Sequence, residues 1–256
     1  VLEVLRRIEK RGTLDTAHRA KGNISQVMRY AIATGKAERD PCPDLRGALP
    51  PAREKNFPSI TEPAKVAELL RAFDTFSGTF VVKSALLVSP FVFVRPGELR
   101  SAEWKDFDLD KAEWCYFVSK TKTEHLVPLS AQVVVILREL HALTGHGRFV
   151  FPGTDPQKCM SGATINRVLQ RMGYDTKTEI TGHGFRAMAR TILHEVLHQR
   201  PEVIEHQLAH AVPDALGTSY NRTKFLKDRK AMMQLWADYL DKLKAGAEVI
   251  PLHTAA

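Results

Sequence analysis

The run Phe80-Val-Val-Lys-Ser-Ala-Leu-Leu-Val-Ser-Pro-Phe-Val-Phe-Val94, followed at once by Arg95-Pro-Gly-Glu-Leu-Arg100, decides the class of fold. It is the longest apolar stretch in the chain, yet Lys83 interrupts it and it falls short of the ~18 residues a membrane span needs. From Phe80 to Pro90 it is apolar nearly all round, which predicts a helix buried on every side. Such a helix requires other elements packed around it. Pro96 suits the first position of a helix, so a short one is expected over Gly97 to Ala102, with Arg95 just ahead of it.

Working outward, Thr61-Glu62-Pro63 is a helix start, and Val66, Leu69, Leu70 and Phe73 form one apolar face. After the central run come strand-like pieces at Phe107–Leu109, Trp114–Val118 and His125–Leu129, the last two joined by the polar turn Lys120 to Glu124. Helices are expected at Ser130–Leu143, Ser161–Met172 with Ser161 as cap, His183–Leu197, Pro201–Ala209 and Lys224–Leu243. In the last, Met232, Leu235, Trp236, Tyr239 and Leu243 make a stripe that serves either core packing or docking onto a neighbour. The fold class is mainly α with a small antiparallel β-sheet (α+β).

Upstream the character changes. Val1 to Lys10 carries the stripe Val1, Val4, Leu5 and Ile8, ended by Gly12. Thr13 or Asp15 caps a second helix bearing Ala17, Ile24, Val27, Met28 and Ala31, ended by Gly35. Five of the 14 prolines lie between Pro41 and Pro58, which reads as an extended linker. The divisions expected are a helical unit over 1–50, a Pro-rich linker over 51–58 and a main domain over 59–256. Val1 is not a natural start, so upstream helices are expected to be missing.

The 256 residues carry 37 Lys plus Arg against 29 Asp plus Glu, a net of +8. Residues 1–58 hold 12 basic and 7 acidic side chains, so +5 of that surplus sits there. This uneven placement fits a polyanionic partner such as DNA or RNA, although a solvated helical surface accounts for it equally. Cys42, Cys115 and Cys159 are an odd set without paired spacing, as expected of free thiols in a reducing compartment. No secretory signal is visible. Membrane protein, disulfide scaffold and disordered tail are excluded.

Two sets of residues could carry chemistry. His194-Glu-Val-Leu-His198 is an H-E-x-x-H pattern, which on a helix puts two imidazoles on one face as zinc peptidases require. Its surroundings disagree, because Pro201, Ile204 and Thr218 stand where the known extensions place Gly, His and Glu. The other set is dispersed: Arg95, Lys120 or Lys122 in the hairpin turn, His183 one turn before Arg186 and facing the same way, His210, and Tyr220. Singly, each has an ordinary structural explanation. Together they suit phosphodiester transesterification by a protein nucleophile. Arginines grip non-bridging oxygens and offset charge growing at phosphorus. A histidine moves a proton or holds the phosphate, and a lysine protonates the leaving oxygen. A tyrosine with a pKa of ~10 then attacks, provided cations or a base assist it. No carboxylate cluster accompanies the set, which argues for a metal-independent reaction.

The order Arg95-Pro-Gly-Glu-Leu-Arg, Lys120 ahead of His125-Leu-Val-Pro-Leu, His183-Gly-Phe-Arg186, Gln207-Leu-Ala-His210 and Tyr220 resembles the tyrosine recombinases. More narrowly it is similar to prophage-type integrases, through Met160-Ser161, Met172-Gly-Tyr174 and Met232-Met-Gln-Leu-Trp-Ala-Asp-Tyr-Leu240. The likeness runs from about Ser59 to Leu243. It implies that Arg95, Arg186 and His210 bind the scissile phosphate and that His183 accepts a proton or ligates the phosphate. It further implies Lys120 as general acid, with Lys122 as fallback, and Tyr220 as nucleophile. Residues 1–50 resemble the second half of a helical core-binding domain. The implied partners are double-stranded DNA attachment sites, a homotetramer on DNA, an excision factor and a host DNA-bending protein. No cofactor, metal or membrane is implied, and the location is the bacterial cytoplasm, on the nucleoid when DNA is bound. A binding-only remnant and relaxation of supercoils in the manner of a type IB topoisomerase are the alternatives.

Overall fold

The computed structural model describes residues 1–52, 56–118, 123–210 and 225–246, which fall into two units, Val1–Asn56 and Phe57–Ala256.

In the first unit, α1 (Leu2–Glu9) and α2 (Leu14–Ala33) pack together. Gly12 and Gly35 stand just past their ends at φ 73° and 70°, a conformation that glycine adopts without Cβ strain. Thr13 precedes α2 but does not cap it, its hydroxyl donating instead to the Ile8 carbonyl at 3.1 Å. The core is small: Leu5, Ala17 and Leu49, with Ile8, Leu14, Ala20, Ile24 and Leu45 against them. Val27 is exposed, outside the apolar face expected to hold it. The proline-rich segment also departs from expectation, because its first half is not extended linker. Pro43–Leu45 is a turn of 3₁₀ helix, Cys42 and Leu49 are buried, and α2 holds the segment by side chains. Lys21 donates to the Leu45 carbonyl, Ser25 bonds Asp40, and Asp40 accepts the Cys42 N–H. A two-helix unit with so little apolar surface needs this third segment to close its core.

The second unit contains α3 (Pro63–Thr75), α4 (Phe80–Val92), α5 (Pro96–Arg100), β1 (Phe107–Asp108), β2 (Glu113–Val118), β3 (Thr123–Pro128), α6 (Ala131–Thr144), α7 (Thr164–Arg171), α8 (Gly184–Glu195), α9 (Pro201–Gln207) and α10 (Leu226–Ala245). The central helix α4 packs against α3, α5, α6, α7, α8 and α10, so its apolarity is matched by burial over most of Ser84–Val92, while Phe80 at its start is exposed. Thr79 caps it by accepting the Val82 N–H. The sheet is antiparallel in the order β1-β2-β3, with Trp114 opposite Val127 and Tyr116 opposite His125. Alternation along β2 turns Trp114, Tyr116 and Val118 to the core side and leaves Cys115 and Phe117 exposed. The helix placed at Ser161 begins at Thr164, because the Ser161 hydroxyl accepts the Ala163 N–H in a local turn.

Helix α10 lies on α3, α4, α9 and β3. Met232, Trp236, Tyr239 and Leu243 are buried, so that stripe is core, and Leu235 alone of the five is exposed. The Trp236 indole N–H donates at 2.9 Å to the Pro90 carbonyl, one of the four that the end of α4 leaves without a helical partner. Among the described residues no helix is long and apolar enough to cross a membrane. Trp236→Phe removes that donor while keeping an aromatic ring, and should lower the unfolding free energy by about 1–3 kcal/mol in chemical denaturation.

Candidate active site

Arg95 occupies the cap position of α5 in extended conformation, and Pro96 takes the first helical position, where a missing N–H leaves no bond unmade. Glu98, one turn in, reaches back. Its Oε2 accepts the Arg95 backbone N–H at 3.0 Å and its Oε1 accepts from Arg95 Nη1 at 2.8 Å. The Tyr116 hydroxyl donates to the same carboxylate at 2.8 Å. Burial, and then the Glu98 charge, raise the Tyr116 pKa, so it stays a donor. Thus one carboxylate, held by strand β2, fixes the direction of the Arg95 guanidinium. The other end of that guanidinium donates from Nη2 to the Ala209 carbonyl at 3.3 Å.

Arg186 lies in the first turn of α8 and is only 5% exposed. It donates from Nη1 to the Phe93 carbonyl at 3.0 Å, and from Nη2 to the Leu208 carbonyl at 2.8 Å and to His210 Nε2 at 3.1 Å. Burial, and then repulsion by Arg95, pull its pKa down to about 10, which still leaves it charged near neutrality. Phe93 and Ala209 adopt left-handed φ values of 36° and 51°, a strain of roughly 1–2 kcal/mol each. They terminate α4 and α9, so two helix C-termini, whose carbonyls carry the negative dipole ends, turn toward the guanidiniums. The start of α8 is fixed by a close approach that requires glycine. A Cβ on Gly184 would collide with the Pro58 carbonyl, which accepts the Thr181 N–H, while Ser59 donates to the Gly184 carbonyl.

His210 follows Ala209, and its Nδ1 lies 2.6 Å from Glu205 Oε2. A guanidinium has no lone pair, so in the Arg186 contact Nε2 must accept. The proton therefore sits on Nδ1 and is donated to Glu205, which makes His210 neutral in this arrangement. The other Glu205 oxygen accepts from Arg190 Nε at 2.7 Å. Burial pushes the Glu205 pKa up, but the bonds from His210 and Arg190 outweigh it and hold the carboxyl below its ordinary range. Behind this layer, His125 Nε2 donates to the Gln207 carbonyl at 3.1 Å and its ring meets Tyr116 edge-on. Arg229 of α10 is 1% exposed and donates to the Gln207 side chain and the Leu126 carbonyl. Burial lowers its pKa to about 10.

Three of the residues read from sequence, Arg95, Arg186 and His210, thus meet at the end of α9. His183 takes the cap position of α8, its ring 4.2 Å from that of Phe57. It does not follow Arg186: the arginine turns inward to Phe93, Leu208 and His210, while His183 lines a groove of about 980 Å³ together with Arg95, Glu98 and Tyr116. Lys120, its fallback Lys122, and Tyr220 lie outside the described residues. Sequence reasoning assigned no part to Glu98, Tyr116, Glu205 or Arg229. For Glu98 a signal existed, an acidic residue in the first turn of a proline-started helix. Glu205 stands five positions before His210, off the helical repeat, and Arg229 sits in an ordinary charged helical stretch. The H-E-x-x-H pattern, set aside on its flanking residues, also lacks the helix a zinc site would need. Helix α8 ends at Glu195 and His198 has a left-handed φ of 49°, so the two imidazoles do not share a helical face. No group of three or more metal-ligating side chains occurs among the described residues.

Residues 60–226 match the phage integrase family, and residues 1–48 match the phage integrase central domain. The chain is similar to the integrase of Enterobacteria phage P4, 36% identical over 257 aligned positions that cover 94% of this chain and 58% of the relative. It is also similar to the prophage integrase IntS of Escherichia coli K12, at 39% identity over 248 positions covering 94% and 63%. The chain therefore spans about six tenths of the length of these relatives. Among solved structures, a lambda integrase dimer bound to a COC′ core site shares the fold, with a TM-score of 0.61 at 17% identity over 98% of this chain and 65% of that one.

Burial, and then the nearby Arg229, depress the His125 pKa to about 3, below its ordinary 6.5. As pH falls, the unfolded chain takes up this proton first. Stability is therefore full above about pH 6.5 and declines from there toward about pH 3. His125→Gln keeps a donor for the Gln207 carbonyl without titrating, so its unfolding free energy should decline less steeply over that window than the wild type's, as read from denaturant midpoints.

Proposed function

The chain belongs to the phage integrase family, and from that premise we propose that it is a site-specific DNA recombinase acting through a phosphotyrosyl bond. The observation that supports this most strongly is the meeting of two guanidiniums and one imidazole, from three separate parts of the chain, around the last turn of α9. Each guanidinium has five N–H donors, and the contacts above occupy two on Arg95 and three on Arg186. Donors fixed in advance on both sides of a phosphate stabilise the charge that builds as phosphorus becomes pentacoordinate.

In this reading Tyr220 Oη attacks the scissile phosphorus. A tyrosine–phosphorus bond forms at the 3′ side, the bond to the 5′ oxygen breaks, and Lys120 supplies the proton to that oxygen. Arg95, Arg186 and His210 hold the non-bridging oxygens, and His183, in the same groove as Arg95, takes the tyrosine proton or adds a phosphate ligand. The phosphodiester energy is kept in the new bond, so rejoining to a partner strand needs neither ATP nor a ligase. With guanidiniums supplying the charge compensation, no metal is assigned a role. Reciprocal exchange between two duplexes breaks four strands, each by one tyrosine, which calls for four protomers on DNA. The helical unit over 1–50 serves as part of the DNA clamp, and the attachment sites of a prophage or genomic island are the substrates. An excision factor and a host bending protein are further partners, and the bacterial nucleoid is the place of action.

Covalent trapping tests the assignment. The protein is mixed, in EDTA, with nicked duplexes tiled from the DNA flanking its own gene and run on a denaturing gel. A slowly migrating adduct is expected, absent in Tyr220→Phe, while the variant's DNA binding in a native gel is retained. An adduct of undiminished yield in Tyr220→Phe would remove the nucleophile assignment, and binding without any adduct would favour a binding-only remnant. Arg186→Ala should slow adduct formation by about 3 kcal/mol or more, on the order of a hundredfold. DNA affinity should fall linearly with salt on a log–log plot, because Lys and Arg displace counterions from phosphates.

A further inference from the structure

We propose that Glu205 is a positioning residue for His210, one that obliges the imidazole to take up a proton when an anion replaces its contact with Arg186. The inference rests on the phosphate-binding reading of the site. It starts from a conflict of donors and acceptors. In the structure His210 Nε2 accepts from Arg186 Nη2 and Nδ1–H donates to Glu205 at 2.6 Å. A phosphate oxygen is also an acceptor, so arriving beside Nε2 it meets a lone pair rather than a proton. One remedy is to move the proton from Nδ1 to Nε2. That leaves the Nδ1 lone pair facing a carboxylate oxygen at short range, and Glu205 forbids it. The other remedy is to bind a second proton from solvent at Nε2, which gives an imidazolium that donates to the anion on one side and to Glu205 on the other. Only this second state satisfies every group present.

The surroundings permit the change. Glu205 is steadied by Arg190 of α8, which bonds its other oxygen and keeps the carboxylate ionised and aimed. Facing His210 are Arg186 from α8 and Glu205 from α9, with Arg95 of α5 on the next carbonyl along and Glu98 of α5 and Tyr116 of β2 behind Arg95. The two arginines oppose a third positive charge, whereas Glu205, Glu98 and the incoming anion favour it. Glu205 is the nearest of these, in direct hydrogen bond with the ring. The anion therefore arrives at three donors rather than two, and the third is cationic only while the anion is there.

Sulfate tests this without any DNA cleavage, since it remains a dianion across the working range. Imidazole ¹⁵N spectra of the whole chain are recorded at pH 8 with and without sodium sulfate at fixed ionic strength. Calorimetry in two buffers of different ionisation enthalpy counts protons taken up per sulfate. The wild type should show the Nδ1–H form alone, and the doubly protonated ring with sulfate, with uptake of about one proton. In Glu205→Gln the side-chain amide can donate to Nδ1, so sulfate should be met by a neutral Nε2–H ring and uptake should drop to about zero. Glu205→Asp should restore uptake, and thermal melts establish that each variant is folded. Uptake unchanged in Glu205→Gln, a wild-type ring already in the Nε2–H form, or no response of His210 to sulfate would each overturn the proposal. These readouts are independent of Tyr220. Proton uptake without any DNA adduct would leave the positioning role standing and remove the recombinase reading, and an adduct without uptake would do the reverse.

Discussion

The carbonyls of Gln207, Leu208 and Ala209 come off the end of α9 without helical partners among the described residues, and each accepts a hydrogen bond from a different element. His125 of β3 takes the first, Arg186 of α8 the second, and Arg95 at the start of α5 the third. The left-handed Ala209 makes this possible by ending the helix abruptly and turning successive carbonyls outward. An orphaned buried carbonyl costs about 1–3 kcal/mol, and hydrogen bonds to charged donors are the stronger kind. The same three bonds therefore finish a helix and aim the side chains around which the site is built. His210, next in the chain, is delivered to Arg186 by the same turn.

The cations gathered there are held largely by dipoles. Arg186 is almost fully buried and rests on the carbonyl ends of α4 and α9, with no carboxylate bonded to it among the described residues. Arg229, buried more deeply still, rests on the Gln207 amide and the Leu126 carbonyl. A carboxylate against Arg186 would neutralise its charge, whereas carbonyl dipoles orient a guanidinium and leave its charge in place. Arg95 is the exception, bonded to Glu98. That carboxylate is shared with Tyr116 and the Arg95 backbone, so it serves direction as much as neutralisation.

Much of the fold is legible in the order of residues. The nearly all-round apolar run from Phe80 to Pro90 predicts a buried helix, and α4 is one. The prolines at positions 63, 96 and 201 mark helix starts, since in the first helical turn a missing N–H leaves no helical bond unmade. Alternation along Glu113–Val118 makes a half-buried strand. Where the reading fails, a local rule meets a competing contact. Ser161 is engaged in a turn instead of a cap, Val27 finds no core to enter, and the residues from Pro41 to Leu49 are drawn back onto α2 by side-chain bonds that composition does not encode. The H-E-x-x-H pattern, already discounted on its flanking residues, would also need a helix reaching His198, and α8 stops at Glu195.

Taken alone, the amino-acid order establishes which residue types are available and at what spacing: an apolar helix for the centre, helices and a small sheet around it, and a set of arginines, histidines, lysines and a tyrosine suited to phosphate chemistry. Those are properties of neighbours within a turn or a strand pair, where backbone geometry fixes distances in advance. Packing of the whole chain adds that Arg186 turns inward while His183 lines the groove, that Glu98 and Glu205 are the carboxylates that orient the site, and that Arg229 braces it from behind. Arg95 meets Ala209 across 114 positions of chain, and Arg229 meets Leu126 across 103. No periodicity carries over such separations. Their pairing follows from which helix ends need donors once the core has closed.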